Sequence, residues 1–523
     1  MVVDDHAVTY QELEGWAQAL ARHFLAVGVA QRERVVVVLP NSAALVATAF
    51  AVSSVGAVFV LVDPSLGEDE LTGVLVAEQP KAVVVDAWVL QSAAVARALA
   101  AWRATAPDAV VVDDVPAIAR AGRGDAPAGW PPGPRASPDD PAGVFLTSGT
   151  GGVPRGVVHT HRSLCSGFEA MKRKLHEFFR GSPLDATRRM LLMLRRYRRQ
   201  VLRPPWRPRV WLTPVPLSSI TGFTFVLQCL LLGQTFVTMR TFHPRRALQL
   251  IERHRVSFLA LTPTLVDLML RLRDVDQYDL SSLFVVGLGA SPARPELVAR
   301  ARTRFDCAVV VGYGSTELGG GVLATDLLDP VEAQVSTVGR PFPGAEVRIV
   351  DDNRREVAAG VVGELACRTP GLMAGYSAGG VAAVDEDGWY YSSDLAVRDG
   401  DGLVRVLGRK DDLIIRAGKK VYPSEVERVI AACPHVREAA VVGAPGPRGE
   451  DRICAYVVPE PDGTPDVTDI RAACRTQLAA YKAPEAVFLV DALPTTTAQA
   501  KVHRAVLRAD AQTRLIPHIK EAP

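Results

Sequence analysis

The sequence has few of the features that mark membrane-spanning, nucleic-acid-binding or disulfide-stabilised proteins. Its seven cysteines are scattered and form no Cys-x-x-Cys pair, so neither a disulfide framework nor a zinc site is indicated. No uncharged apolar run reaches about 18 residues, which predicts no membrane span. The formal net charge is only +2, so overall charge does not indicate a nucleic acid partner. The first residues lack the basic start and apolar core of a signal peptide, and we expect a cytoplasmic protein.

The loop at residues 147–156, TSGTGGVPRG, also lacks the Gly-Lys-Ser/Thr that closes a Walker phosphate loop. It contains three hydroxyls, four glycines and one cation, and no acid. Glycines let backbone N–H groups turn toward an anion, hydroxyls donate hydrogen bonds, and arginine adds a fixed positive charge. Taken alone, the loop indicates either a polyphosphate site or a flexible surface turn. The candidate phosphate-binding residues are Thr147, Ser148, Gly149, Thr150, Gly151, Gly152 and Arg155.

Strand-like and helix-like segments alternate through the first part of the chain. Valine-rich runs at 34–39, 57–62 and 82–86 predict buried strands. Asn41 and Ser42 are placed to cap the helix between the first two runs. This alternation predicts an α/β fold with parallel or mixed sheets flanked by helices.

The last third differs in its predicted secondary structure, because short strands and turns dominate from about residue 346. Beyond Gly408 the pattern is typical of a compact α+β unit, with a helix at about 423–432 and strands at 438–442 and 453–458. The sequence therefore predicts a large domain at 1–408 and a small domain at 409–523.

Residues 171–209 are strongly basic, with thirteen Lys/Arg against the two acids Glu177 and Asp185. The stretch from Arg188 to Leu202 predicts a basic, partly apolar helix. It is either a solvated helix whose arginine stems lie on apolar neighbours, or a face that docks an acidic partner or an anionic membrane surface.

Residues 312–317, GYGSTE, follow a predicted strand that ends at Val311. Ligands bind at such strand ends in α/β sheets. Tyr313 offers a flat face for a purine, Thr316 a hydroxyl, and Glu317 a hard oxygen suited to Mg²⁺. The alternative is a plain turn with an exposed glutamate.

Two further candidates follow in the last third. Asp394 ends a short aromatic strand, where a carboxylate can accept hydrogen bonds from ribose hydroxyls, although a lone aspartate is more often a turn former. Lys501 lies in a loop of small and hydroxyl residues without a nearby acid, and such a loop can carry an ammonium to a phosphate or carboxylate.

Each motif is weak alone, but their order along the chain is specific. In that order the sequence resembles the adenylate-forming superfamily of acyl- and aryl-CoA ligases, nonribosomal-peptide adenylation domains and luciferases. The resemblance covers nearly the whole chain. It rests on residues 8–13, 56–64, 147–161, 289–291, 313–317, 363–365, 375–376, 393–395, 408–411 and Lys501.

The resemblance implies ATP-dependent formation of an acyl-adenylate, which then passes to a thiol such as that of CoA. It implies a β-barrel-like subdomain in the large domain, a mobile small domain, and Mg²⁺ bound by Glu317. The 147–156 loop would hold the β- and γ-phosphates, Thr316 the α-phosphate, and Lys501 would bridge the acid and the α-phosphate. The resemblance places Gly289, Ala290 and Tyr313 around adenine, and it implies that Ser291 and Gly314 also bind the nucleotide. The other implied positions are Asp394 and Arg409 at the ribose, Asp411 as hinge, and Gly418 and Lys420 along the thiol channel.

The chain departs from the family pattern at several of these positions. Gly151 replaces a hydroxyl, and Arg155 replaces a lysine while keeping its charge. Glycines are replaced by Ser393 and Ala500, and a lysine by Ile415. An aromatic–histidine pair common in CoA ligases is replaced by Ser218-Ser219. We still expect the protein to form an acyl-adenylate. The changes concern mainly the second step, the transfer of the acyl group to a thiol.

The substrate expected from the sequence is an aryl, cyclic or medium-chain acid. No acidic residue lies between Trp211 and Gln234 to pair an α-ammonium, and an unpaired buried ammonium is costly. The sequence favours an acid–CoA ligase. An acyl-AMP ligase that loads a carrier protein or forms an amide, and a non-catalytic acyl- or nucleotide-binding protein, stay open. The expected pocket residues are Ser218, Ser219, Ile220, Thr221, Phe223, Leu288 and Gly312.

Overall fold

The computed structural model describes residues 1–115, 117–118, 129–131, 133, 136–147, 154–179, 182–201, 209–379, 384–416, 419–446, 450–461, 463–495 and 502–515. These residues group into two compact units. The first comprises Met1–Glu346 and Cys367–Tyr390, and the second comprises Val347–Ala366 and Tyr391–Pro523. The predicted division into a large domain at 1–408 and a small domain at 409–523 stays a prediction.

Fourteen helices are present in the described part of the chain. They are α1 Tyr10–Ala26, α2 Ala43–Ser54, α3 Glu68–Glu78, α4 Ala93–Thr105, α5 His161–Phe179, α6 Pro183–Val201, α7 Ile220–Leu231, α8 Pro244–His254, α9 Pro263–Leu270, α10 Pro295–Phe305, α11 Val331–Ser336, α12 Pro423–Ala431, α13 Val467–Gln477 and α14 Arg504–Leu515.

The strands of the same residues form five sheets. They are β1 Val2–Val3, β2 His6–Ala7, β3 Arg34–Val38, β4 Val58–Val62, β5 Ala82–Val84, β6 Val110–Val112, β7 Pro141–Thr147, β8 Arg155–Thr160, β9 Val210–Leu212, β10 Thr235–Thr238, β11 Phe258–Leu261, β12 Val285–Leu288, β13 Ala308–Ser315, β14 Gly320–Ala324, β15 Arg340–Pro341, β16 Glu346–Val350, β17 Gly363–Arg368, β18 Gly375–Tyr376, β19 Tyr390–Arg398, β20 Val404–Arg409, β21 Ile414–Arg416, β22 Lys419–Val421, β23 Val436–Pro445, β24 Asp451–Pro459 and β25 Ala486–Leu489.

The first unit contains two large mixed sheets. One has the order β18-β8-β7-β4-β3-β5-β6, and the other has the order β15-β14-β13-β12-β11-β9-β10-β1-β2. Their central strands are parallel, whereas β8 and β14 run antiparallel to their neighbours. The expected α/β class is therefore confirmed.

The valine-rich runs form the core strands because a strand covered on both faces can be apolar throughout. Val35–Val38 and Val58–Val62 are fully buried, apart from slight exposure of Val58. Ser42 caps α2, since its hydroxyl accepts a hydrogen bond from the Leu45 N–H at 3.1 Å. Asn41 does not share this cap but bonds the segment 214–217.

The second unit contains three smaller sheets. A sheet ordered β16-β17-β19-β20 lies in the region of the expected β-barrel-like part, and β21-β22 and β23-β24-β25 form the other two. The helix predicted at 423–432 is α12, and the predicted strands at 438–442 and 453–458 lie within β23 and β24.

The basic segment includes the last nine residues of α5 and all of α6. The helix predicted at 188–202 therefore begins earlier, at Pro183. Part of its charge is used within the first unit. Arg196 donates to the carbonyls of Leu327 and Asp329 at 3.0 and 2.9 Å, and Lys174 pairs with Asp326 at 3.2 Å. Docking of an acidic partner stays a prediction. Among the described residues, no helix combines the length and apolarity needed to cross a membrane.

Candidate active site

The ends of the candidate phosphate loop are fixed by a pair of antiparallel strands. Strand β7 ends at Thr147, β8 begins at Arg155, and these two residues pair across the ladder. The Thr147 hydroxyl also donates to the Arg155 carbonyl at 3.3 Å. Ser148, Gly149, Thr150, Gly151 and Gly152 lie outside the described residues, so their role as phosphate ligands stays a prediction.

The end of β13 and the turn that follows it are closely packed. The strand does not end at Val311 as predicted but continues to Ser315, so Tyr313 and Gly314 lie within it. A Cβ added at Gly314 would lie 1.9 Å from the Gly320 carbonyl oxygen, so only glycine fits at this approach. The Ser315 hydroxyl oxygen is buried and has no hydrogen-bond partner in the described structure. Thr316 is 8% exposed, while Tyr313 and Glu317 are half-buried. An unpartnered buried hydroxyl here suits a polar ligand at this turn.

His159 links the strand that leaves the phosphate loop to this turn. Its side chain is 0% exposed, and its Nε2 lies 2.8 Å from the Thr316 carbonyl oxygen. Nε2–H must donate to that carbonyl, so Nδ1 accepts from the Ser163 hydroxyl at 3.0 Å. His159 therefore fixes the backbone on which the Thr316 hydroxyl is carried.

Burial lowers the pKa of His159 to about 4, although the hydrogen bond to the Thr316 carbonyl acts in the opposite direction. A histidine in the unfolded chain titrates near about 6.5, so between these pH values the unfolded chain binds a proton that the folded protein does not. Stability should therefore fall as pH drops from about 6.5 to 4, by up to about 3 kcal/mol from this group. The His159→Gln variant should show a shallower decrease in denaturant midpoint over this range than wild type.

Substitution of the exposed His6 by Gln serves as the control for that measurement and should leave the wild-type slope intact. Equal slopes for wild type and His159→Gln would contradict the linkage.

The backbone of Glu317 is held in place, and its side chain lies near Tyr376. Its carbonyl accepts from the Met373 N–H at 2.8 Å, and its carboxylate is close enough to the Tyr376 hydroxyl to affect the pKa of that tyrosine. Burial raises the pKa of Tyr376, the Glu317 carboxylate raises it further, and Arg155 acts in the opposite direction. Within the described residues Glu317 has no ion-pair partner, and no cluster of three or more ligand-type side chains exists. One available carboxylate fits Mg²⁺ that takes its remaining ligands from phosphate and water.

The candidate adenine loop, Gly289-Ala290-Ser291, follows the end of β12. Ala290 has a φ of +65°, a left-handed conformation that is unfavourable for a residue with a Cβ. In the second unit, Ser393 has a φ of +58°, which explains why glycine is the usual residue of the resembled family there. Strained backbone of this kind is concentrated at functional sites.

The candidate ribose residues lie next to each other in the second unit. Asp394 and Arg409 are cross-strand partners of β19 and β20, and Arg409 Nε lies 3.7 Å from Asp394 Oδ1. The Asp394 N–H donates to the Ser392 hydroxyl oxygen at 3.1 Å, and Ser392 is itself buried. The structure therefore brings a carboxylate and a guanidinium together, and their role in binding the ribose stays a prediction.

The candidate hinge Asp411 lies between two ion-pair clusters of the second unit. Lys410 bonds Asp352 at 2.8 Å and Glu364 at 3.3 Å, and the Asp352 hydrogen bond raises the pKa of Lys410. On the other side, Asp412 pairs with Arg504 at 3.5 Å and Arg508 at 3.3 Å. A hinge at Asp411 would therefore lie between two residues, Lys410 and Asp412, that are each held by ion pairs.

Two of the residues assigned to the thiol and adenylation steps, Gly418 and Lys501, lie outside the described residues. Lys420 is exposed on β22. Thr495 and Val502 pair across an antiparallel bridge, which fixes the two ends of the segment that carries Lys501. The roles of all three residues stay predictions.

The expected substrate pocket residues range from buried to exposed. Ile220, Phe223 and Leu288 are 3%, 4% and 2% exposed, and Phe223 packs its ring against Phe59 and Phe145. Gly312, Ser218 and Ser219 are half-buried, and Thr221 is exposed.

Ser219 caps α7, since its hydroxyl accepts from the Gly222 N–H and donates to the Pro216 carbonyl at 2.7 Å. A Cβ added at Gly222 would lie 2.2 Å from that carbonyl oxygen. The segment is therefore rigid, and its role in substrate binding stays a prediction.

The AMP-binding enzyme family model matches residues 1–377, and the AMP-binding enzyme C-terminal domain model matches residues 425–500. The chain therefore belongs to the AMP-binding enzymes, and its resemblance to the adenylate-forming superfamily is confirmed.

Among its relatives, a feruloyl-CoA synthase of an Amycolatopsis species is 32% identical over 493 residues, which cover 94% of this chain and 91% of the relative. The medium-chain fatty-acid–CoA ligase of Escherichia coli K12 is 30% identical over 551 residues, covering 99% and 89%. Among solved structures, the amide bond synthetase McbA from Marinactinospora thermotolerans has a TM-score of 0.79 at 28% identity and covers 96% of this chain and 95% of its own.

Proposed function

We propose that this protein is an AMP-forming acid–CoA ligase with an aryl, cyclic or medium-chain acid as its substrate. The observation that carries the proposal is the hydrogen bond from His159 to the Thr316 carbonyl. It connects the strand that leaves the candidate phosphate loop to the turn that carries the Thr316 hydroxyl and the Glu317 carboxylate. The names of full-length relatives, feruloyl-CoA synthase and medium-chain fatty-acid–CoA ligase, support the same acid and thiol classes.

The proposed reaction has two steps. An oxygen of the substrate carboxylate attacks the α-phosphorus of ATP, the α–β phosphoanhydride bond breaks, and pyrophosphate leaves. The thiol of CoA then attacks the acyl carbon, and AMP leaves as the thiol proton is released. The first step brings two anions together, so fixed positive charge and hydrogen-bond donors contribute most to its rate.

The residues have separate proposed tasks in the first step. Arg155 and the hydroxyls of the 147–156 loop bind the β- and γ-phosphates, and Thr316 donates to the α-phosphate. Glu317 would hold Mg²⁺, which neutralises phosphate charge when it is bound. Asp394 and Arg409 bind the ribose. Lys501 neutralises charge between the acid and the α-phosphate.

The proposed acid class follows from the neutrality of the segment between Trp211 and Gln234. No acid is present there, and the Ser219 hydroxyl is already used by the cap of α7. An α-ammonium would therefore find no partner in this segment. Neutral, partly apolar side chains suit a substrate that carries no charge apart from its carboxylate.

A second candidate function is amide formation from the acyl-adenylate. It is favoured by the 28% identity to an amide bond synthetase over almost the whole chain, and by the replacement of an aromatic–histidine pair by Ser218-Ser219. Transfer to an acidic carrier protein is a related alternative that the basic helices α5 and α6 motivate.

Product analysis separates these functions. Purified protein is incubated with ATP, Mg²⁺ and a panel of acids, and then with CoA, with a phosphopantetheinylated carrier protein, or with simple amines. The proposal expects AMP and an acyl-CoA thioester by mass spectrometry in the CoA reaction alone. Acyl-adenylate that reacts with an amine or a carrier protein but not with CoA would overturn the CoA assignment.

A further inference from the structure

Tyr376 lies against the strand that leaves the candidate phosphate loop. It forms the short strand β18 with Gly375 and pairs with Val157 of β8. The flanking main chain is fixed as well, because the Ala374 N–H bonds the Val158 carbonyl at 2.8 Å and the Ser377 N–H bonds the Gly156 carbonyl at 3.0 Å. The backbone of Tyr376 is therefore part of the sheet.

The segment that contains Tyr376 is also held by Glu78, which forms an ion pair with Arg34. The Ser377 hydroxyl donates to Glu78 Oε1 at 2.5 Å, and the other carboxylate oxygen of Glu78 pairs with Arg34 at 2.8 Å. Glu78 is only 3% exposed. A Cβ added at Gly156 would lie 2.3 Å from Ser377 Oγ and 2.6 Å from Glu78 Oε1, so a larger residue there would displace this hydrogen-bonded pair. Tyr376 thus has little freedom to move relative to Arg155.

The side chain of Tyr376 lies next to two groups of opposite charge. Its hydroxyl lies near the Glu317 carboxylate, so that burial and this charge both raise the pKa of Tyr376, and the Arg155 guanidinium carbon lies 3.3 Å from the centre of its ring. The described ion pairs include none between Arg155 and Glu317. Each charged group therefore has a neutral neighbour and keeps its charge available for a ligand.

We propose that Tyr376 is a positioning residue that holds Arg155 for phosphate and Glu317 for the metal, and that arginine replaces the family's lysine at 155 to match this ring. The proposal rests on the proposed function. A planar guanidinium stacks on an aromatic face, whereas an ammonium is a compact, strongly hydrated charge. The ring and the hydroxyl then serve separate tasks, which two substitutions can separate.

The test compares Tyr376→Phe, which keeps the ring, with Tyr376→Leu, which removes both groups. One readout is ATP affinity in EDTA by calorimetry, and the other is the Mg²⁺ concentration that gives half-maximal pyrophosphate exchange. For Tyr376→Phe we expect unchanged metal-free affinity and a rise of about 3- to 10-fold in the required Mg²⁺ concentration. For Tyr376→Leu we expect the same rise and about 3- to 10-fold weaker metal-free ATP binding.

Arg155→Lys supplies the second half of the test. It should weaken metal-free ATP binding several-fold in the wild-type background and have little further effect in Tyr376→Leu, because the stack is already lost. Tyr10→Phe is the matched control, since it removes a hydroxyl that bonds the Gln234 carbonyl at 2.6 Å elsewhere in the first unit. Thermal midpoints confirm that each variant is folded.

Unaltered Mg²⁺ dependence in Tyr376→Phe, or additive effects of Arg155→Lys and Tyr376→Leu, would overturn the role of Tyr376. If the wild-type protein exchanges pyrophosphate normally, either of these variant results leaves the proposed function unaffected. A wild-type protein that binds ATP but exchanges pyrophosphate with no acid contradicts the proposed function instead. If Tyr376→Leu does not fold, the Tyr376→Phe result decides alone.

Discussion

The Lys501→Ala variant is expected to lose about 100- to 1,000-fold in the rate of acid-dependent pyrophosphate exchange while ATP affinity changes less than about threefold. The reason is that a carboxylate must approach an anionic phosphate, and the ammonium of Lys501 is proposed to neutralise this charge only as the two react. An interaction made mainly in the transition state affects rate far more than ground-state binding. The measurement is exchange of labelled pyrophosphate into ATP at saturating acid.

Two comparisons sharpen the Lys501 result. Lys172→Ala removes a surface lysine that pairs with Glu169, and it should exchange at the wild-type rate. Supplied with synthetic acyl-adenylate and CoA, Lys501→Ala should form thioester at close to the wild-type rate, because the lysine acts only in the first step. Unchanged exchange in Lys501→Ala would contradict its assigned role.

The Asp394→Asn variant is expected to lose about 10- to 100-fold in kcat/KM for ATP, mainly through a higher KM. Asp394 is proposed to accept hydrogen bonds from the ribose, and a hydrogen bond to a charged group contributes about 1.5–3 kcal/mol. Its backbone is already fixed by the Ser392 hydroxyl, so the substitution should change the charge with little change in position. Steady-state kinetics of AMP release with varied ATP give the effect.

A modified nucleotide makes the Asp394 prediction specific. If the carboxylate binds the ribose 2′-hydroxyl, the penalty of Asp394→Asn should be several-fold smaller with 2′-deoxy-ATP than with ATP. Asp387→Asn, at an exposed position of the first unit, should behave as wild type with both nucleotides. Equal penalties with ATP and 2′-deoxy-ATP would show that Asp394 does not contact that hydroxyl.

Much of the fold could be predicted from local sequence. Valine-rich runs are found as β3, β4 and β5 because a strand buried on both faces needs no polar alternation. Ser42 could be predicted as a cap because it directly precedes an apolar helix. The pairing of Asp394 with Arg409 also depends on nearby sequence, since the two residues lie opposite each other in the hairpin of β19 and β20. Asp394 lies within β19, Tyr390–Arg398, and not at the end of a short strand as the sequence predicted.

Contacts between distant parts of the sequence could not be predicted in this way. His159 meets Thr316, and Glu78 meets Ser377, through the order of strands in the folded sheets. His159 and Tyr376 both stand in motifs that indicate the family, yet nothing local shows that their side chains support the candidate site. Phe223 lies near a neutral loop in sequence, but the packing of Phe59 and Phe145 encloses its ring in the core.

The most direct test of the central claim is pyrophosphate exchange by the wild-type protein with a panel of acids. The account predicts Mg²⁺-dependent exchange with at least one aryl, cyclic or medium-chain acid and none with α-amino acids. Binding of ATP without exchange for any acid in the panel would contradict acid activation, and exchange with α-amino acids alone would contradict the proposed substrate class.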